Sequence, residues 1–196
     1  GNATAIPTDA RDEEQVINLF SKISEHGQID CVIFNIGANV FFPIKETTAR
    51  VFKKVWEMAT FAGFLVGRES AKHMKNYGTI IFTGATASVR GSSGFSAFSS
   101  AKFGLRALAQ SLARELGPQG IHVVHTIIDG AIDHPWIEEN FPETYKLKEV
   151  DGILNPDQIA ETYYNLHLQE KSAWTHEIDL RPVSYTHLRA HETRPN

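Results

Sequence analysis

Gly78–Gly120, GTIIFTGATASVRGSSGFSAFSSAKFGLRALAQSLARELGPQG, reads as strand, loop and helix, and that order decides the fold. Thr79–Phe82 is a short apolar run ended by Gly84. Ala85–Ser96 is rich in Gly and Ser, and an amphipathic helix begins near Ala97. On that helix Ala101, Leu105, Leu108, Leu112 and Leu116 share one face, while Phe103 and Ala107 lie on a second. Two apolar faces fit either a deep core or a helix-to-helix subunit contact. In an open parallel sheet the ligand crevice lies beyond the carboxyl ends of the strands, so the loop after Phe82 is expected to border a site. Phe98 and Lys102, four residues apart, share the helix face nearest that crevice.

Working outward, the same alternation repeats. Asp12 reads as an N-cap with Gln15 three positions on, opening a helix that carries Val16, Leu19, Phe20 and Ile23 on one face. Cys31–Phe34 has the length of a buried parallel strand and runs into the turn Asn35-Ile36-Gly37-Ala38. A long helix is predicted from about Thr47 to Asn76, apolar nearly all round between Met58 and Val66. Ile121–Ile128 is a further strand ended by Asp129-Gly130. Ala131–Leu154 shows no period and reads as a loop or lid holding Trp136, Phe141 and Tyr145. Asn155 and Pro156 open another helix, Trp174–Leu180 is a last strand, and Gly1–Ile6 reads as the end of one more. Strands alternating with helices imply an α/β protein, a doubly wound parallel sheet with helices on both faces.

One domain over residues 1–182 is expected. Val183–Asn196 lacks caps and period and resembles an adaptor-derived tail, so it is set apart as non-native or disordered. A net charge of −4 gives no basic footprint for nucleic acid. No apolar run approaches the ~18 residues of a membrane span. The single cysteine, Cys31, agrees with a reducing, cytoplasmic setting and reads as a small core residue. His122 and His125 stand three apart on a strand and face opposite sides, which argues against a shared metal. No metal site is expected.

The framework resembles the short-chain dehydrogenase/reductase family over nearly all of residues 3–180. The Gly84 loop, the helix carrying Lys102, Asn35-Ile36-Gly37 and Asp129-Gly130 are the stretches that carry the likeness. The resemblance implies a Rossmann-like fold and NAD or NADP as cofactor. It also implies a small carbonyl or alcohol substrate, and a homo-dimer or tetramer formed through helices 48–76 and 97–116. It places Asp9 at the adenine ring, Asn35, Ile36 and Gly37 near the adenosine ribose, and Lys102 on the nicotinamide ribose. Asp129, Gly130 and Ile132 fall beside the nicotinamide. Asp9 also reads as a plain turn residue, and Lys102 as a solvated helix lysine.

The family's catalytic set of Ser, Tyr, Lys and Asn falls on Ala85, Phe98, Lys102 and Ala59. A methyl or benzyl side chain has no proton to give, so the resemblance implies a degenerate active site. One alternative is a non-catalytic dinucleotide-sensing or scaffolding relative. Thr83, Thr86, Ser88, Asp133 and His134 are the groups nearby in sequence that are able to donate in place of Tyr. The resemblance further implies a glycine-rich turn and two strands with their helices ahead of Gly1. On that basis the chain is expected to be a fragment with an apolar strand edge, marginal stability and impaired dinucleotide binding.

Overall fold

The computed structural model describes residues 1–184, so the tail expected from Val183 lies, from residue 185 onward, outside the described residues. Four parallel strands form one sheet: β1 (Cys31–Phe34), β2 (Thr79–Thr83), β3 (His122–Ile128) and β4 (Glu177–Leu180), in the order β1-β2-β3-β4. Phe34, Phe82, His125 and Glu177 stand in one row across it. Helices cover both faces. On one lie α1 (Glu13–Ser24), the path from α2 (Ala49–Trp56) to α3 (Ala62–His73), and α4 (Ser96–Leu116). On the other lies α7 (Pro156–His167), packed through Tyr163 and Leu166 on Ile81, Val124 and Ile128.

The main core joins Phe34, Ile80, Phe82 and Val123 of the sheet to Val16, Phe20, Leu65, Leu105 and Leu116 of the helices. These side chains are almost wholly removed from water, each contributing about 1.5–3 kcal/mol. Small residues let the helices approach. A Cβ at Gly63 would sit 2.6 Å from Leu105 Cδ1, and one at Gly104 would sit 2.7 Å from Thr60 Oγ1. The Thr60 hydroxyl donates to the Ala101 carbonyl at 2.7 Å, which ties the two helices together beside the sheet.

Four expectations are corrected. The helix predicted over 47–76 starts at Ala49 behind the Thr48 cap and is interrupted by a π-helical turn, Glu57–Phe61, before α3 ends at His73. Gly1–Ile6 forms no strand, because among the described residues nothing flanks it to pair with. The segment 131–154 is not an irregular lid. It holds α5 (Pro135–Asn140), α6 (Pro142–Tyr145) and a 3₁₀ turn, each α-helix started by a proline, and is closed by an Ile132–Leu154 bridge. Cys31 is exposed rather than buried, because β1 is the outer strand, and partial burial still raises its thiol pKa. Ile33 on the same strand is 51% exposed, so β1 presents an apolar edge. Among the described residues no helix is long and apolar enough to cross a membrane.

Candidate functional site

The carboxyl end of β2 and the turn after β1 meet near the N-terminal part of α4, where Lys102 stands. Its side chain is 4% exposed, which corrects the reading of a solvated lysine. Nζ donates to the Thr83 carbonyl at 2.8 Å and reaches the Ile36 carbonyl at 3.5 Å, so one amine clamps the ends of β1 and β2. A Cβ at Gly37 would lie 3.5 Å from Nζ, so the Asn35–Gly37 turn runs close beside the amine. Burial without a carboxylate partner lowers the Lys102 pKa to about 8.

Phe98 lies one helical turn before Lys102, with its ring centroid 6.0 Å from Nζ, at the outer reach of a cation–π contact. Phe98 and Ala59 belong to one apolar cluster with Val55, Ala97 and Ala101, and Ala85 packs against it. Ala59 sits within the π turn. The three positions that the resemblance pairs with Tyr, Asn and Ser are therefore brought together as hydrocarbon. The Ala85 amide donates to Ser88 Oγ at 3.1 Å, which folds the loop over.

The remaining expected residues fall into three places. Asp9 and Ile36 line a cavity of about 420 Å³ with Arg11, Lys54 and Met58. The Asp9 carboxylate is gripped by Arg11, through Nε at 2.9 Å and Nη2 at 2.6 Å, and this hydrogen-bonded guanidinium lowers its pKa to about 2. Asp129 is buried. It accepts from the Thr86 hydroxyl and lies 3.6 Å from Arg181, while Gly130 backs onto Pro182 and Ile132 bridges Leu154. Asn35 faces the other side of the sheet, lining a cavity of about 570 Å³ with Ile33, Thr83 and Tyr163.

Each of the groups considered as replacement donors has a polar partner, although Ser88 and His134 serve only as acceptors in theirs. Thr83 Oγ1 is 2.9 Å from the Tyr163 hydroxyl, Thr86 serves Asp129, and Ser88 accepts from Ala85. Asp133 pairs with Lys148 at 2.7 Å, and His134 Nδ1 accepts the Trp136 amide at 3.0 Å to cap α5. Among the described residues no group of three His, Cys, Asp or Glu side chains is placed to hold a metal. The two strand histidines do part. His122 stacks on Trp174 and meets the Thr175 carbonyl, whereas His125 meets Glu177.

Sequence reasoning missed the support beneath the loop. Arg106 donates twice to Glu177 at 2.7 Å, Glu177 takes His125 Nδ1 at 2.9 Å, and His125 presses under Gly84, where a Cβ would lie 2.4 Å from Nε2. Burial outweighs the attraction of Glu177, whose charge Arg106 already neutralises, and lowers the His125 pKa to about 4. The histidine binds its proton more readily in the unfolded chain. Its contribution is therefore complete above pH ~6.5 and is lost as pH falls toward 4, at up to about 1.4 kcal/mol per pH unit. Denaturant titrations of His125→Gln between pH 7 and 5 are expected to show a shallower fall than the parent. An equal slope would move the pH sensitivity elsewhere.

An open parallel sheet with helices on both faces and a crevice at its carboxyl ends is a Rossmann-like α/β fold. The short chain dehydrogenase family profile matches residues 1–144, and the chain belongs to that family. The crystal structure of a short-chain dehydrogenase from Rhodopseudomonas palustris is 50% identical, with a TM-score of 0.78 over 93% of this chain and 76% of that one. The cyclic-di-GMP-binding biofilm dispersal mediator protein of Escherichia coli K12 is 30% identical over 81% of this chain and 67% of its own length. Versicolorin reductase stcU of Emericella nidulans is 32% identical over 67% of this chain. The chain spans only about half of that reductase, 50% of its length. Structures of the same fold at 19% and 22% identity have been solved with NADP bound.

Proposed function

We propose that the chain is part of an NAD(P)-dependent oxidoreductase of the short-chain type whose acid-catalytic positions are degenerate. The observation that carries this reading is the buried Lys102 amine clamped on Thr83 and Ile36, with Phe98 and Ala85 beside it. Bound nicotinamide supplies hydride chemistry toward a carbonyl or alcohol. Lys102 suits its ribose, and the Ile36–Gly37 backbone with the cavity at Asp9 and Ile36 suits the adenosine end. The sequence has no G-x-x-x-G-x-G turn for the pyrophosphate. We therefore expect dinucleotide binding by this chain to be weak, and its exposed β1 edge to make it prone to aggregate.

A second reading has its own support. Where a proton donor is expected the crevice is hydrocarbon, and one relative is named for binding a nucleotide rather than for reducing a carbonyl. A nucleotide sensor that keeps Lys102 fits both facts. In either case the exposed Phe52, Trp56, Phe64 and Phe103 on α2, α3 and α4 favour a homo-dimer or tetramer through these helices. The lone cysteine suits the cytoplasm.

Lys102→Met tests the lysine's role. At pH 7 the ammonium is charged in both the folded and the unfolded chain, so its burial cost is fully present. The substitution is expected to stabilise the fold by about 1–2 kcal/mol and to weaken NADPH binding at least tenfold, read by thermal denaturation and cofactor fluorescence. In the parent alone, stability should rise between pH 8 and 10.5. Unchanged affinity would remove Lys102 from the binding site.

A further inference from the structure

Next to the cavity at Asp9 and Ile36 lies a second cleft, of about 290 Å³, lined by Arg11, Arg50, Lys53, Lys54 and Glu57. The two share Arg11 and Lys54, so they adjoin. Their chemistry is complementary. The first has apolar walls in Ala10, Ile36, Met58 and Ala62, which suit a planar base. The second gathers four cations, although the whole chain carries a net charge of −4.

The acidic groups nearby do not balance these cations. Glu57 lies 3.6 Å from Lys53, and Asp9 is taken up by Arg11. That pairing fixes the Arg11 guanidinium at the boundary between the two spaces. Arg50 and Lys54 form no ion pair among the described residues, and both project from α2 into the cleft. Unpaired cations held on one rigid helix beside a base-sized apolar pocket favour phosphate, since arginine and lysine bind it by charge and by forked hydrogen bonding. Together the two spaces fall within the usual size of a small-ligand site.

We propose that this cleft is a phosphate-binding subsite, taking a phosphate group of a nucleotide whose base occupies the adjoining cavity. The proposal rests on the nucleotide-binding reading for the base and adds a specificity element that Lys102 does not provide. Arg50 and Lys54 contact the phosphate, while Arg11, steadied by Asp9, closes the boundary.

The test uses the whole chain. Adenosine, ADP, NAD, NADP and inorganic phosphate are titrated calorimetrically at 50 and 300 mM salt against the parent, Arg50→Glu, Arg50→Glu/Lys54→Glu, and Lys102→Met, with circular dichroism confirming that each variant is folded. ADP is expected to bind at least tenfold more tightly than adenosine at low salt and to lose most of that margin at high salt. The Arg50→Glu/Lys54→Glu change should abolish the margin; because Lys54 also lines the base cavity, the adenosine control is Arg50→Glu alone, which lines only the second cleft and should narrow the margin while leaving adenosine unaffected. Preference for NADP over NAD in the same cleft would assign the phosphate to the cofactor itself, and ADP binding equal to NADP would assign it to a separate nucleotide. Equal affinity for adenosine and ADP, or an unaltered margin in the charge-reversed chain, overturns the proposal. If Lys102→Met weakens NADPH binding while the cleft variant does not, the oxidoreductase reading stands and only the subsite fails. The reverse pattern removes Lys102 and keeps the subsite.

Discussion

Ala85→Ser combined with Phe98→Tyr is expected to raise NADPH-dependent reduction of a carbonyl panel by about 10²–10⁴-fold, or roughly 3–5 kcal/mol of barrier. The packing that would hold a tyrosine at position 98 is already in place. Phe98 is 9% exposed in a packed cluster, so a tyrosine there would be held in place by the same neighbours. Its ring lies beside the Lys102 ammonium, and a nearby positive charge lowers the pKa of a phenol toward neutrality. At position 85 a hydroxyl on the folded-over loop supplies polarisation of the kind worth another several kcal/mol in oxyanion sites. Adding Lys102→Met to the double variant should erase most of the gain. Parent activity that the double change leaves unaltered would mean that a different acid already works in the crevice.

Much of this site was legible because it is local. Strand, glycine loop and helix follow one another between Gly78 and Gly120, and the four-residue spacing of Phe98 and Lys102 survives any detail of packing. What depends on distant partners was not. Arg106, Glu177 and His125 are 52 to 71 residues apart where they touch, and nothing in the period of either segment joins them. The π turn at Glu57–Phe61 hides because Val51, Val55, Met58 and Ala62 keep a helical spacing on both sides of it. Cys31 reads as core in an apolar run, and only the position of β1 at the edge exposes it. The pairing of Asp9 with Arg11 was within reach, being two residues long, but a turn aspartate followed by arginine carries no signal that the carboxylate will be consumed. The short helices of 131–154 are below the length at which a period shows, and Pro135 and Pro142 were their only markers.

Phe82→Ala is expected to cost about 3–5 kcal/mol of stability, a large part of the total of a domain with an open strand edge. Phe82 is fully buried near the carboxyl end of β2, with its ring centroid 6.0 Å from that of Phe34 on β1. The space it vacates cannot collapse readily. On the helix side a Cβ at Gly67 would come within 3.3 Å of Phe82 Cζ and 2.7 Å of Leu112 Cδ1, so α3 and α4 already meet as closely as their backbones allow. On the sheet side β1 is only four residues long and, among the described residues, pairs with β2 alone, so the loss falls on a short edge strand. Phe82→Leu, which keeps most of the volume, should cost under about 1.5 kcal/mol. Denaturant midpoints separate the two, and a loss below 1 kcal/mol for alanine would show a core looser than the packing here. The effect should reach the site as well. Phe82 precedes Thr83, whose carbonyl takes the Lys102 ammonium at 2.8 Å, so loosening β1 against β2 spreads the two carbonyls that the lysine clamps. Nucleotide affinity is therefore expected to fall in Phe82→Ala under conditions where the chain remains folded, although Phe82 touches no ligand.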